Sequence, residues 1–164
     1  YSNIWFKNVD IYSKAYPNVD AFLPIVVDTD QKGKFAGFTN EATFAANFTP
    51  EMGILTNETL LDYQNFQISG MVIKRSSFID FGLIKSSFKL TFGYEFLLRM
   101  TFKDVKVMVI PRFGYKHINQ RAGSLFSTYK ESLDPVEARW WLGLAKREYY
   151  NKKDRNITYE AETK

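Results

Sequence analysis

The spacing of apolar and polar positions changes period several times along the chain, and each change marks a new element. Over residues 2–16, Trp5, Val9, Tyr12 and Tyr16 recur at spacings of four and three, which places them on one face of a helix. Ser2 can cap its start, and Pro17-Asn18 stop it. The run VDAFLPIVV over 19–27 is almost wholly apolar and reads as a mostly buried strand. Pro24 lacks the N–H of a regular ladder, so an edge position or a bulge is expected there. Asp28-Thr29-Asp30-Gln31-Lys32-Gly33 reads as a turn, and a short strand over 34–38 completes a hairpin.

Residues 39–65 hold no clean period and predict a long functional loop with short helical turns. Thr56-Asn57-Glu58-Thr59 would cap one such turn running through Asp62. FQISGMVIK over 66–74 reads as a strand. Ser76 then caps a short helix over 77–81, which Gly82 ends. Residues 93–102 predict a helix with Tyr94, Leu97, Leu98 and Thr101 on one face. VKVMVI over 105–110 predicts a strand closed by Pro111, with a further short strand over 113–117 and a loop over 118–133. At Asp134-Pro135-Val136-Glu137 three signals coincide: a capping carboxylate, proline at the first helical position, and a glutamate able to reach back. Trp140, Trp141, Leu144 and Ala145 would form the buried face of that helix. From Asn151 the chain turns polar. The expected organisation is one domain over 1–150, of mixed α/β class, and a polar tail over 151–164.

Composition sharpens this outline in three ways. Aromatic residues make up 17% of the 164 residues, with 15 Phe and 10 Tyr, enough to fill a core and to leave rings over for stacking on sugar faces. The absence of cysteine excludes disulfides, thiolate chemistry and Cys-based zinc sites, and fits a cytoplasmic location. The formal charge of +4 is mild, and the basic residues are dispersed except for Lys146, Arg147, Lys152, Lys153 and Arg155. That end suits either plain solvation or peripheral contact with an anionic membrane surface. Basic and aromatic residues do not cluster together as a nucleic-acid interface needs, so no nucleic-acid partner is expected. No apolar run reaches the roughly 20 residues of a membrane span. The chain starts at Tyr1 and enters an amphipathic pattern at once, which reads as a piece of a longer protein.

Four constellations carry candidate chemistry. Asp28-Thr29-Asp30 matches a D-x-D metal pattern, but three residues are too few to be specific, and beside Gln31-Lys32-Gly33 the preferred reading is a hairpin tip. His117, the single histidine, opens a stretch rich in donors with Lys116, Arg121 and Ser124. It is either incidental or part of a loop that grips a diphosphate. Glu95 and Arg99 form an i, i+4 pair, read either as a surface ion pair or as a base at the lip of a cleft, with Tyr94 beside it. Glu58 and Asp62, one helical turn apart and followed by Tyr63, either cap and solvate the loop or face one site.

Three segments together resemble family 2 glycosyltransferases of bacterial type. Residues 66–99, FQISGMVIKRSSFIDFGLIKSSFKLTFGYEFLLR, are similar to that family's strand, short helix, glycine and leucine-rich helix ending in Arg. Residues 107–126, VMVIPRFGYKHINQRAGSLF, resemble its following strand ending in Ile-Pro and its aromatic–basic–His run closing in Gly-Ser. Residues 1–41 look like the piece that follows the family's metal-binding carboxylates.

The resemblance implies the acceptor-side, C-terminal half of a GT-A fold, a mixed sheet with flanking helices. It further implies a transferase, inverting in its intact form, acting in the cytoplasm, where the basic end leaves contact with the inner face of the membrane open. The partners it implies are a nucleotide sugar and a glycan or lipid-linked acceptor. The divalent metal (Mg or Mn) would be held by ligands mostly outside this chain. The family's acidic pair aligns with Phe92 and Gly93, neither of which takes a proton. Glu95 is then the first candidate base, with Glu58 or Asp62 as substitutes. Tyr63, Tyr94, Lys116, His117, Arg121 and Ser124 are the candidate substrate-binding residues, and Phe66 and Phe92 the candidate rings of an acceptor subsite. A non-catalytic carbohydrate-binding or protein-interaction module is the alternative that the missing acidic pair favours.

Overall fold

Strand β1 (Ala21–Thr29) is the spine of the molecule because nearly every residue in it is buried. Its side chains alternate between two cores. Ala21 and Leu23 point into the larger one, while Phe22 joins Trp5, Val9, Val19, Met108 and Ile110 in the smaller. The computed structural model describes residues 3–41, 53–62, 64 and 66–149. The expectations for the Ser2 cap, for Tyr63, for residues 42–52 of the long loop and for the tail over 151–164 lie outside them.

Helix α1 (Trp5–Ala15) covers one face of the sheet with the predicted stripe: Trp5 and Val9 are buried, and Tyr12 and Tyr16 pack against them. On one side of β1, β2 (Phe35–Thr39) pairs antiparallel with its carboxyl half, and β3 (Val72–Ile73) with its amino end. On the other side β4 (Val107–Ile118) runs parallel, from Ala21 opposite Val107 to Asp28 opposite His117. The result is a mixed sheet with helices on both faces, as the α/β reading expected.

The two prolines explain where the ladder departs from the sequence reading. β1 and β4 slip register between Leu23, Ile25 and Val26, so Leu23 faces Val109 whereas Ile25 faces Phe113. Pro24 sits at that slip, as expected of a residue without an N–H. Pro111 lies in the same irregularity, so it does not close a strand: the segments expected over 105–110 and 113–117 are one β4. Gly114 is required in this stretch, because a Cβ there would come within 2.5 Å of Pro24 and 2.6 Å of Trp5. Trp5 also donates from Nε1 to the carbonyl of Gly70 at 2.9 Å, tying α1 to the loop beyond the sheet.

The strand expected over 66–74 shrinks to the two residues of β3. Gly70, at φ +78°, breaks the extended run. In place of a ladder, Asn40 fills the gap between β2 and β3. Its Nδ2 donates to Pro24 O at 3.0 Å and Gln67 O at 2.8 Å, and its Oδ1 accepts from Gln67 N at 2.7 Å.

The second face is helical. α2 (Asn57–Asp62) starts as expected, with the Thr56 hydroxyl accepting from Thr59 N at 3.1 Å. α3 (Arg75–Asp80) makes no side-chain cap bond at its start, contrary to the role given to Ser76. A 3-10 turn (Ser86–Thr91) leads into α4 (Phe92–Phe102), in which every residue from Tyr94 to Thr101 is buried. The helix is therefore central to the larger core rather than one-sided. The expected loop over 118–133 contains α5 (Leu125–Ser132).

α6 (Pro135–Tyr149) packs on α4 through Trp141, Leu142, Leu144 and Ala145. Asp134 caps it, accepting from Val136 N at 2.8 Å. Two details differ from the sequence reading. Trp140 is exposed rather than buried. Glu137 does not reach back; its carboxylate takes Lys89 and the Trp141 indole instead.

Candidate functional site

The parallel strands β1 and β4 end side by side, and a cleft opens at their carboxyl ends, the usual place for a ligand in an open α/β sheet. Its volume is about 670 Å³, in the range of small-molecule sites. Phe38 and Thr39 of β2 form one wall. Segment 66–69 and the stretch from Leu90 to Tyr94, where the 3-10 turn runs into α4, form the second. The end of β4 with Arg121 and Ser124 forms the third.

Lys116, His117, Arg121, Ser124 and Tyr94 all line this cleft, so the structure brings five of the sequence candidates together. Phe66 and Phe92 line it as well, as does Gly93. Tyr94 contributes a ring wall only. Its hydroxyl donates to Leu60 O at 2.7 Å, and burial raises its pKa to about 12, so it stays neutral and occupied.

Asp28 is the site residue that sequence reasoning undervalued. The D-x-D pattern splits: Asp30 makes the turn, accepting from Lys32 N at 2.9 Å and Lys34 N at 2.8 Å, while Asp28 stays in β1 and points into the structure. Its register partner across the parallel ladder is His117. One carboxylate oxygen lies 2.9 Å from His117 Nδ1, and the other accepts from the Thr39 hydroxyl. The Asp28 side chain is 12% exposed and that of His117 29%, so the carboxylate is sheltered and the ring reaches the cleft. Nothing in the local sequence announces this pair, because its members are 89 residues apart.

Glu95 is placed elsewhere. It is fully buried in α4 and does not line the cleft. Its Oε1 accepts from Tyr149 at 2.7 Å and lies 3.1 Å from Lys85 Nζ and 3.0 Å from Arg99 Nε; Oε2 accepts from Arg99 Nη2 at 3.2 Å. Arg99 spends its other donors on the carbonyls of Phe81, Gly82 and Leu83, which pins the turn after α3. The pair expected on a helix surface is thus an internal cross-link. Burial raises the Tyr149 phenol to about 12. Burial alone would lower the Lys85 ammonium, but its bonds to Tyr149 and Glu95 and the Glu95 charge outweigh that and raise it.

Glu58 is exposed on α2 and is not part of the cleft wall. Asp62 ends α2, but its side chain lies outside the described set.

Two sets of groups define what the cleft can hold. Lys116 and Arg121 bring positive charge, and no acidic side chain appears among its described lining residues. Rings and neutral donors such as Gln64, Gln67, Thr39 and Thr91 supply the rest. That chemistry fits an anionic ligand with a polyol part. It does not fit a divalent cation: no group of three or more His, Asp or Glu that could hold one occurs among the described residues. Beside the cleft, Phe38 stacks on Phe113 at 5.4 Å between ring centroids and contacts Phe35 at 4.8 Å, forming an exposed aromatic ledge.

No helix among the described residues is long and apolar enough to cross a membrane. Comparison with known proteins finds no matching family model, no matching curated protein and no matching solved structure.

Proposed function

We propose that the chain is the acceptor-side half of a GT-A glycosyltransferase of the family 2 type. In its intact form it transfers a sugar from a nucleotide sugar to a saccharide or lipid-linked acceptor, with inversion, in the cytoplasm. The observation that carries this reading is the cleft at the carboxyl ends of β1 and β4. It has cations on one wall, amides and hydroxyls on another, and an aromatic ledge at its mouth. Arg121 and Lys116 suit the phosphates of the donor, and ring faces suit a pyranose. Phe92 and Gly93, where the family would carry its acidic pair, line the same cleft. A divalent metal (Mg or Mn) in the intact form would be held by ligands mostly outside this chain; among the described residues no group of three or more His, Asp or Glu could hold one.

Calorimetric titration of the chain with a panel of nucleotide diphosphate sugars tests the reading. Binding is expected, weakened about tenfold or more in the Lys116→Ala/Arg121→Ala variant, since charge-assisted hydrogen bonds contribute about 1.5–3 kcal/mol. No binding across the panel, or binding indifferent to both cations, would sink it. The burial of Glu95 away from the cleft favours a second reading, a non-catalytic carbohydrate-binding module. Binding of neutral oligosaccharides in preference to nucleotide sugars would select it.

A further inference from the structure

We infer that His117, oriented by Asp28, is the proton acceptor for an attacking hydroxyl in the cleft; this rests on the sugar-transfer reading and gives it the base that Glu95 does not supply. The geometry has three parts. The His117 ring lies on the cleft wall, and its one protein partner among the described residues is Asp28, at Nδ1. A carboxylate at Nδ1 holds the proton on that nitrogen and leaves Nε2 bare as the acceptor. Asp28 is itself held from two directions, by β1 in the ladder and by the Thr39 hydroxyl on its second oxygen. An imidazole fixed in orientation and tautomer by a sheltered carboxylate is an arrangement suited to general base catalysis.

The alternatives within the site are weaker. Among the described lining residues there is no Asp or Glu, the Tyr94 hydroxyl is occupied, and Lys116 and Arg121 are cations. A metal at Nε2 would find no carboxylate among the described lining residues and two positive side chains in the same cleft.

The hydroxyl of an acceptor sugar, or of water, gives its proton to Nε2 while its oxygen bonds to the anomeric carbon of a nucleotide sugar. The bond from that carbon to the diphosphate oxygen breaks, and its electron pair leaves with the nucleoside diphosphate. Arg121 and Lys116 face the departing charge. Nε2 afterwards releases the proton to solvent. His117 is the catalytic residue in this scheme and Asp28 a positioning residue.

Because the chain has one histidine, its imidazole can be observed without ambiguity. Long-range proton–nitrogen spectra of the nitrogen-15-labelled chain, with the ring neutral, are expected to show the proton on Nδ1 and none on Nε2. Asp28→Asn, whose amide can donate to Nδ1, is expected to move the proton to Nε2 with the fold intact. A wild-type ring protonated at Nε2 would overturn the proposal, and so would selective broadening of the His117 signals by added Mn²⁺ alone. In the full-length protein, hydrolysis and transfer with a panel of UDP- and GDP-sugars are then measured. His117→Gln is expected to lower kcat by about 10²–10⁴, with KM changed only a few-fold. Asp28→Asn should fall toward the same rate. An active wild type with an undiminished His117→Gln variant takes down this inference alone. An inactive wild type takes down the sugar-transfer reading, and the inference with it.

Discussion

Glu95 and Asp28 are both sheltered carboxylates anchored by hydrogen bonds, and their surroundings give them opposite uses. Glu95 sits in the middle of the larger core, and both of its oxygens are consumed by Arg99, Lys85 and Tyr149. Every one of those partners leads back into the fold: to the turn after α3, to the 3-10 region, to the end of α6. Asp28 is nearly as sheltered, but its chain of contacts runs outward, through the His117 ring to the cleft. A closed network has only the fold to act on. An open one can act on whatever enters. The acidic residue that stands out in the sequence, on a helix with an arginine one turn on, belongs to the closed kind.

The comparison breaks most sharply at Glu95. Glu95→Gln leaves the buried Arg99 guanidinium without its counter-charge, and removing one partner of such a pair costs about 3–5 kcal/mol. Denaturant unfolding should read a loss near the lower figure, because Arg99 keeps its three carbonyls. Ligand binding in the cleft should stay within a few-fold. A loss below about 1 kcal/mol, or a collapse of binding with stability retained, would reverse the assignment of roles.

Asp28→Asn should show the opposite profile. Stability falls by only about 1 kcal/mol, since Thr39 and His117 keep an amide partner, while the proposed sugar transfer collapses. Equal effects on both would mean that the two networks do not differ in kind.

Alkaline pH separates the regions in another way. Tyr149 and Tyr94 are both raised to about 12 from an ordinary value near 10, and Lys85 is raised too. The folded state therefore holds these protons more tightly than the unfolded chain. The stabilisation is complete below about pH 10 and is lost as pH climbs through the folded values. Thermal melts should show the midpoint dropping between about pH 10 and 12. Tyr94→Phe should cost about 1 kcal/mol at neutral pH and flatten that drop. A midpoint level up to pH 12 would exclude both phenols as its source.

The smallest effect is expected at the exposed Lys89–Glu137 pair. The hydrogen bonds to Lys89 and Trp141 lower the Glu137 carboxyl, but both side chains of the pair are open to solvent. Lys89→Ala should leave the melting midpoint unchanged within error, because screened surface pairs contribute little. A clear shift would show that the contact between the 3-10 turn and α6 carries more than solvated charge.

Much of the framework was legible along the chain because it rests on local rules. The Trp5–Tyr16 stripe, the β1–β2 hairpin with Gly33 at φ +81°, the Thr56 cap and the Asp134-Pro135 start all rest on contacts a few residues apart. The misses have one cause. Pro111 reads as a strand end until β4 is laid beside Pro24 and both fall in one register slip. Segment 66–74 reads as a strand until Asn40, 27 residues before Gln67, takes its backbone groups. In the cleft, the Lys116–Ser124 stretch was visible as a cluster of donors, since its members are close in sequence. Asp28 was not: read along the chain it belongs to a hairpin tip.

By itself the sequence determined which residues are apolar, where helices begin, and that a basic histidine-bearing stretch follows a strand. Periodicity and capping act within a turn or two of backbone, so they are written in the order of residues. Only the tertiary structure decided which carboxylate meets the histidine and which is locked in the core. That choice depends on a parallel pairing of strands 89 residues apart and on the burial of one helix on every side, and neither leaves a local mark.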